Sequence, residues 1–111
     1  PEARVVNAAA IGPDLMALAA RLAQSSSHPL ARAVARDAGT IAPLAGAVEE
    51  PGRGIRAMVD GVEVRLGSAE FCDAAMDVAI ALAGEPDATP LVVRRDNERA
   101  VLLVRQALKE D

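Results

Sequence analysis

Residues Ile55 to Gly67 constrain the fold of this chain more than any other stretch. Asp60-Gly61 is the kind of dipeptide a two-residue type I′ turn prefers, because both central residues of that turn need positive φ. Closing the chain there sets Val59 opposite Val62, Ala57 opposite Val64 and Ile55 opposite Leu66. Every residue of those three pairs is apolar and lies on one side of the hairpin. Arg56, Met58, Glu63 and Arg65 lie on the other. A one-residue slip would exchange the two sides, so turn chemistry and hydrophobic pattern agree on one register. The expectation is a hairpin that buries Ile55, Ala57, Val59, Val62, Val64 and Leu66 against a second layer.

The second layer is readable as helices. Pro13-Asp14 reads as a helix start, and Leu15, Leu18, Ala19 and Leu22 follow at the spacing of one helical face. That helix is expected over about Pro13 to Gln24. Ser25-Ser26-Ser27-His28-Pro29 then makes a turn, with Pro29 suited to a first helical position. Leu30, Ala33 and Val34 mark a second helix, which Gly39 ends in the C′ role. His28, the only histidine, falls at or just before this helix's N-terminus, beside unpaired N–H groups.

The remaining elements are shorter. Arg4 to Asn7 and Ala47 to Glu50 are strand candidates, and Thr40 to Gly46 is a loop. Ser68 can cap a short helix reaching Cys72; Met76, Val78, Ala79 and Leu82 suggest another, ended by Gly84. Leu91 to Arg95, Asp96-Asn97 and Glu98 to Val104 form a second hairpin, whose returning strand is apolar on both sides and so belongs inside a sheet. Hairpins dominate, which gives an α+β fold: a mainly antiparallel sheet flanked by helix pairs.

Composition removes several functions. A length of 111 residues suits a single domain, expected over residues 1–111. The net charge of −4, without a basic run, argues against nucleic acid as a partner. One Cys and one His supply too few ligands for a transition-metal site, and no cysteine-based disulfide can close within the chain. No apolar run is long enough to span a bilayer, so direct membrane contact is not expected. The chain begins at Pro1 rather than Met, as expected of a piece excised from something longer. Phe71 and His28 are its only aromatic rings, so a base can stack only on one of them or on an aliphatic side chain.

Gly52-Arg53-Gly54-Ile55-Arg56-Ala57 has the spacing of a dinucleotide fingerprint, but a hairpin follows it where the fingerprint needs a helix. The glycines still permit a bend or a close approach of ligand to backbone. No phosphate-binding P-loop and no nucleophile elbow is present, and no partner is evident for a triad built on His28. No catalytic residue is expected. Binding is the function left, either of a nucleotide or, as the rival, of another protein through a domain of similar fold. A complete small enzyme is disfavoured by the poverty of catalytic groups.

The order of these motifs resembles one family. Ser27-His28-Pro29-Leu30-Ala31, then Pro51-Gly52-Arg53-Gly54-Ile55, Asp60-Gly61, and Arg65-Leu66-Gly67-Ser68 with Phe71-Cys72 resemble the nucleotide-binding (N) domain of heavy-metal-transporting P-type ATPases, in the style of copper pumps. The resemblance implies an ATP site of His28, Gly52, Gly54, Ile55, Gly67 and Ser68. His28 would lie against the adenine, Gly52 and Gly54 would open the backbone beneath the nucleotide, and Ile55 would pack on it. The family commonly carries a glutamate five residues before the histidine; that position is Ala23, with Gln24 adjacent. The resemblance further implies ATP as ligand, Mg²⁺ only through an absent phosphorylation domain, and that domain and the actuator domain as partners in one longer chain. It implies a place on the cytoplasmic side of a membrane, and a monomer when isolated. The Asp-Lys-Thr-Gly-Thr motif of phosphorylation and the Cys-Pro-Cys metal step are absent from these residues.

Overall fold

The computed structural model describes residues 3–106. The hairpin closes in the expected register. Strands β3 (Gly54–Val59) and β4 (Val62–Gly67) pair Val59 with Val62, Ala57 with Val64 and Ile55 with Leu66. Asp60 and Gly61 take φ of 52° and 80°, the two positive values the type I′ turn requires. Ile55, Ala57, Val64 and Leu66 are buried. Val59 and Val62 are only half-buried, against expectation. They flank the turn, at the margin of the core, against which Val59 still packs.

Six antiparallel strands form one sheet in the order β1-β6-β5-β4-β3-β2, where β1 is Ala3–Val5, β2 Val48–Glu50, β5 Thr89–Arg95 and β6 Glu98–Gln106. Beyond Val5 the Asn7 side chain continues the edge, donating to the Val101 carbonyl (2.8 Å) and accepting from the Leu103 amide (2.9 Å).

Helices α1 (Pro13–Ala23) and α2 (Pro29–Ala38) cover one face. The two helices bring Leu15, Leu18, Leu22, Ala31 and Val34 onto Ile55, Val64, Leu66, Leu91, Val93 and Leu102. Their small alanines, Ala19, Ala23, Ala31 and Ala35, let both helices approach the sheet and each other. Strand β6 is apolar on both sides because both are covered: Leu102 and Val104 face this core, while Val101 and Leu103 face a second one.

The second core is built around Phe71, with Cys72, Ala74, Val92, Val101 and Leu103. Helix α3 (Ala75–Gly84) lies on it through Val78, Ala81 and Leu82. Of the residues that suggested this helix, Val78 and Leu82 lie on the face it uses, whereas Ala79 is exposed and Met76 is 73% exposed, as is Ile80 at 69%. Asp77 is the only charged residue of α3, so no polar stripe marks which side faces out. The expected short helix at Ser68 to Cys72 is a single turn. Ser68 caps it through Phe71 N–H (3.1 Å), and Asp73, at φ 52°, ends it.

The register also aligns Arg56, Arg65, Arg94 and Arg99 across four neighbouring strands. Like charges directly opposite one another are unfavourable. Each has a local acceptor: Glu50 for Arg56 (2.7 Å), Glu63 for Arg65 (2.9 Å), the Asp96 carbonyl for Arg94 (2.7 Å) and Asp77 for Arg99 (3.5 Å).

Val64 is fully buried, so Val64→Ala removes two buried carbons and leaves a cavity. The expected cost is about 1–2 kcal/mol in urea unfolding; an unchanged midpoint would contradict the packing of this face.

Candidate functional site

A cleft of about 150 Å³ opens where the α1–α2 turn meets the ends of β2, β3 and β4. It collects Ser26, His28, Leu30 and Ala31 from one side and Glu49, Glu50, Gly52, Arg53 and Gly54 from the other, with Leu66, Gly67, Ser68, Pro90 and Leu91 between. Leu66 and Leu91 are buried core residues, so the floor is aliphatic. The walls carry the polar groups. Pockets that enclose a drug-sized ligand run to about 300–1,000 Å³, so this one seats part of a ligand and leaves the rest in solvent.

His28 is the N-cap of α2. Its backbone is extended (φ −69°, ψ 135°) and its Nδ1 accepts from the Leu30 amide at 3.2 Å. This uses one of the helix's unpaired N–H groups in the way a Ser or Asn cap would. The bond also selects the tautomer. With Nδ1 accepting, the proton of the neutral ring sits on Nε2, which is left as a donor for a ligand. The ring is on an exposed residue at the cleft mouth.

The turn before His28 is tied to β2. The Glu49 carboxylate accepts from the Ser26 hydroxyl (2.8 Å), the Ser27 amide (2.9 Å) and the Ser27 hydroxyl (2.8 Å). Ser26 Oγ in turn accepts from the His28 amide at 3.1 Å. The Ser26 hydrogen bond leads in holding the Glu49 carboxyl below the usual carboxylate range. Glu50 is held down chiefly by its hydrogen bond from Arg56.

The glycines have separate tasks. Gly52 sits at φ 79° in the turn, with open space where a side chain would point. Gly54 and Gly67 face each other across β3 and β4. A Cβ on Gly54 would run into the Leu66 carbonyl oxygen and come within 2.7 Å of the Phe71 ring. A Cβ on Gly67 would meet the Arg53 carbonyl oxygen and lie 2.8 Å from Gly54 Cα. The pair therefore lets Phe71 press on bare backbone. Arg65 and Arg53 lie over that ring at 4.6 and 5.3 Å, within cation–π range.

Of the six residues the sequence singled out, His28, Gly52, Gly54, Gly67 and Ser68 converge on this cleft. Ile55 does not line it. Alternation along β3 sends its side chain into the core, 1% exposed. The apolar contacts come instead from Leu30, Ala31, Leu66 and Leu91. Gln24 does not reach the cleft; its amide points at the Ala35 carbonyl (3.5 Å), and Ala23 is fully buried. Glu49 was missed, because nothing local in the sequence marks a strand carboxylate that folds back onto a turn 22 residues earlier. Phe71, the other ring, is buried away from the cleft. Burial pushes the Cys72 thiol up to about 11, so it stays neutral and acts as a small hydrophobe. Among the described residues no group of three or more His, Cys, Asp or Glu is arranged to hold a metal ion, and no helix is long and apolar enough to cross a membrane.

No family model matches the chain. It is 47% identical to the nitrogen fixation protein FixI of Bradyrhizobium diazoefficiens over 111 residues, all of this chain and 15% of that protein. The chain thus spans about a seventh of the length of this curated relative. Among solved structures, a zinc-transporting PIB-type ATPase in its E2.Pi state superposes with a TM-score of 0.75 at 27% identity, covering 97% of this chain and 20% of the other. The N-domain of HMA8, a copper-transporting P-type ATPase, gives 0.62 at 24% identity, covering 82% and 85%.

Two predictions come from this geometry. Gly54→Ala drives a methyl into backbone, so it is expected to destabilise the chain by about 2–3 kcal/mol, within the range for overpacking, and a neutral urea midpoint would refute the pinch. The Glu49 carboxyl is lower in the folded than in the unfolded chain. Its stabilisation is therefore full above the ordinary carboxylate range and is lost as pH falls through the folded value. Glu49→Gln should flatten the decline of stability between about pH 5 and pH 3; superimposable acid limbs in the two proteins would contradict this.

Proposed function

Because the chain carries the N-domain fold of the heavy-metal-transporting P-type ATPases, we propose that it is the ATP-binding domain of such a pump, one that moves copper. It holds the adenine while a separate phosphorylation domain takes the γ-phosphate and supplies Mg²⁺. Its partners are then that domain and the actuator domain of the same full-length chain, on the cytoplasmic side of a membrane. The observation that carries this reading is the convergence of His28, Gly52, Gly54, Gly67 and Ser68, far apart in sequence, on one cleft.

The chemistry of the cleft suits a base better than a phosphate. An aliphatic floor accepts one face of a flat heterocycle, and the His28 ring at the mouth can lie on it. Glu49 and Glu50 put two carboxylates on the walls, which repel a triphosphate from the interior. The phosphates then project outward past Arg53, which is 54% exposed at the rim. No side chain of the cleft is placed as nucleophile or general base, so the chain binds ATP and leaves hydrolysis to other domains.

A cleft that seats only the base binds weakly, on the order of 0.1–1 mM or about −4 to −5.5 kcal/mol. Base stacking on a ring is worth about 1–3 kcal/mol, a large share of that. His28→Asn keeps a good N-cap while removing the ring. It is expected to fold normally and weaken ATP by about fivefold or more, followed by amide chemical shifts. Adenosine should keep much of the affinity of ATP, with little effect of Mg²⁺. Equal ATP binding by parent and variant, or equal binding of inorganic triphosphate and ATP, would overturn the reading.

A further inference from the structure

One group in the cleft has no task in that reading, the Glu49 carboxylate. It comes from β2 and stands beside Ser26 and His28 on the wall. Oε2 takes two hydrogen bonds, from the Ser26 hydroxyl and the Ser27 amide, and Oε1 takes one, from the Ser27 hydroxyl. An ionised carboxylate has about four acceptor sites and no donor. Three are used, so Oε1 keeps one for a ligand. The three donors also fix the group's direction before any ligand arrives, which lowers the cost of using the fourth site.

The ligand atom that satisfies such a site is an N–H or O–H hydrogen; a phosphate oxygen is repelled. On an adenine nucleotide the base offers one N–H donor group, the exocyclic amine. The other side chains that could take the amine are worse placed or already charge-paired. Ala23 is buried and Gln24 faces the Ala35 carbonyl, while the charge of Glu50, on the same wall, is paired with Arg56 (2.7 Å) and Arg53 (3.6 Å); among the described residues no cation pairs with Glu49.

We propose that Glu49 is a specificity-determining residue of this cleft, its carboxylate accepting a hydrogen bond from the exocyclic amino group of the bound base while the Ser26–Ser27 turn holds it in place. The proposal rests on the ATP-binding reading above. A carboxylate that merely braced the turn would make every nucleotide bind less well when removed. One that reads the amine would lose discrimination.

The test titrates the chain with ATP and with purine riboside triphosphate, which carries hydrogen in place of the amino group, and compares their affinities by amide chemical shifts. The parent is expected to favour ATP by about fivefold or more, as suits one charge-assisted hydrogen bond. In Glu49→Ala the two ligands should bind within about twofold of each other. Glu49→Gln keeps one neutral acceptor, so its preference should fall between the two, about twofold to threefold; it decides the matter if the alanine variant does not fold. An undiminished preference for ATP in both variants would overturn the proposal and leave Glu49 a brace. A parent that binds both ligands equally would overturn it while the ATP-binding reading stands. A parent that binds neither would overturn that reading, and the proposal with it.

Discussion

The close approach of β3 and β4 at Gly54 and Gly67 is the contact on which the site depends. Two residues without Cβ atoms let the strands end with backbone facing the Phe71 ring. That ring nucleates the second core, and the arginines above it, Arg53 and Arg65, are drawn to its face. The turn at Pro51 to Arg53 follows directly, so the position of one wall of the cleft is set by packing on the far side of the sheet. The far face and the cleft are thus one construction: a side chain at either glycine would displace the ring, the turn and the wall together.

The opposite wall is held by polar bonds. A turn rich in serine has little of its own to fix it, and here Glu49 supplies three acceptor contacts from a different element. His28 is placed by a third device, the end of α2, whose unpaired amide at Leu30 takes Nδ1 and leaves Nε2 free. Strand pinch, carboxylate clamp and helix cap therefore meet at one opening. Each is made of ordinary structural parts, and the cleft has an aliphatic floor only because the first core reaches its edge through Leu66 and Leu91.

The sheet is also unequal across its width. Strands β5 and β6 are covered on both faces over residues 91–93 and 101–104, whereas the second face of β3 and β4 carries arginines and the exposed Met58. The arginine row across four strands is tolerated because acceptors lie beside each member. Exposed pairs of this kind contribute little stability, so the row is better described as compensated than as a source of strength. Met76 and Ile80 on α3 remain exposed beyond the strip that Phe71 and β6 offer the helix.

By itself the sequence determined the features written in local pattern. The register of the 55–66 hairpin was legible because turn chemistry and two-residue alternation each specify it, and both specify the same one. The helices α1 and α2, the cap position of His28 and the two-sided burial of β6 were legible for the same kind of reason: a period or a cap is a property of neighbours along the chain. Five residues of the candidate site were readable as a motif order, although their convergence was not. What tertiary structure alone decided were matters of which side and against what. Ile55 turned into the core because strand alternation, once the sheet's buried face was chosen, left it no access to the cleft. Val59 and Val62 stayed half-exposed at the turn end of the hairpin, and α3 chose a face that a sequence with a single charged residue could not mark. Gly54 and Gly67 owe their identity to a ring from a later turn, and Glu49 owes its place to serines 22 and 23 residues before it. Such contacts depend on the distance between elements, and a linear pattern carries no record of distance.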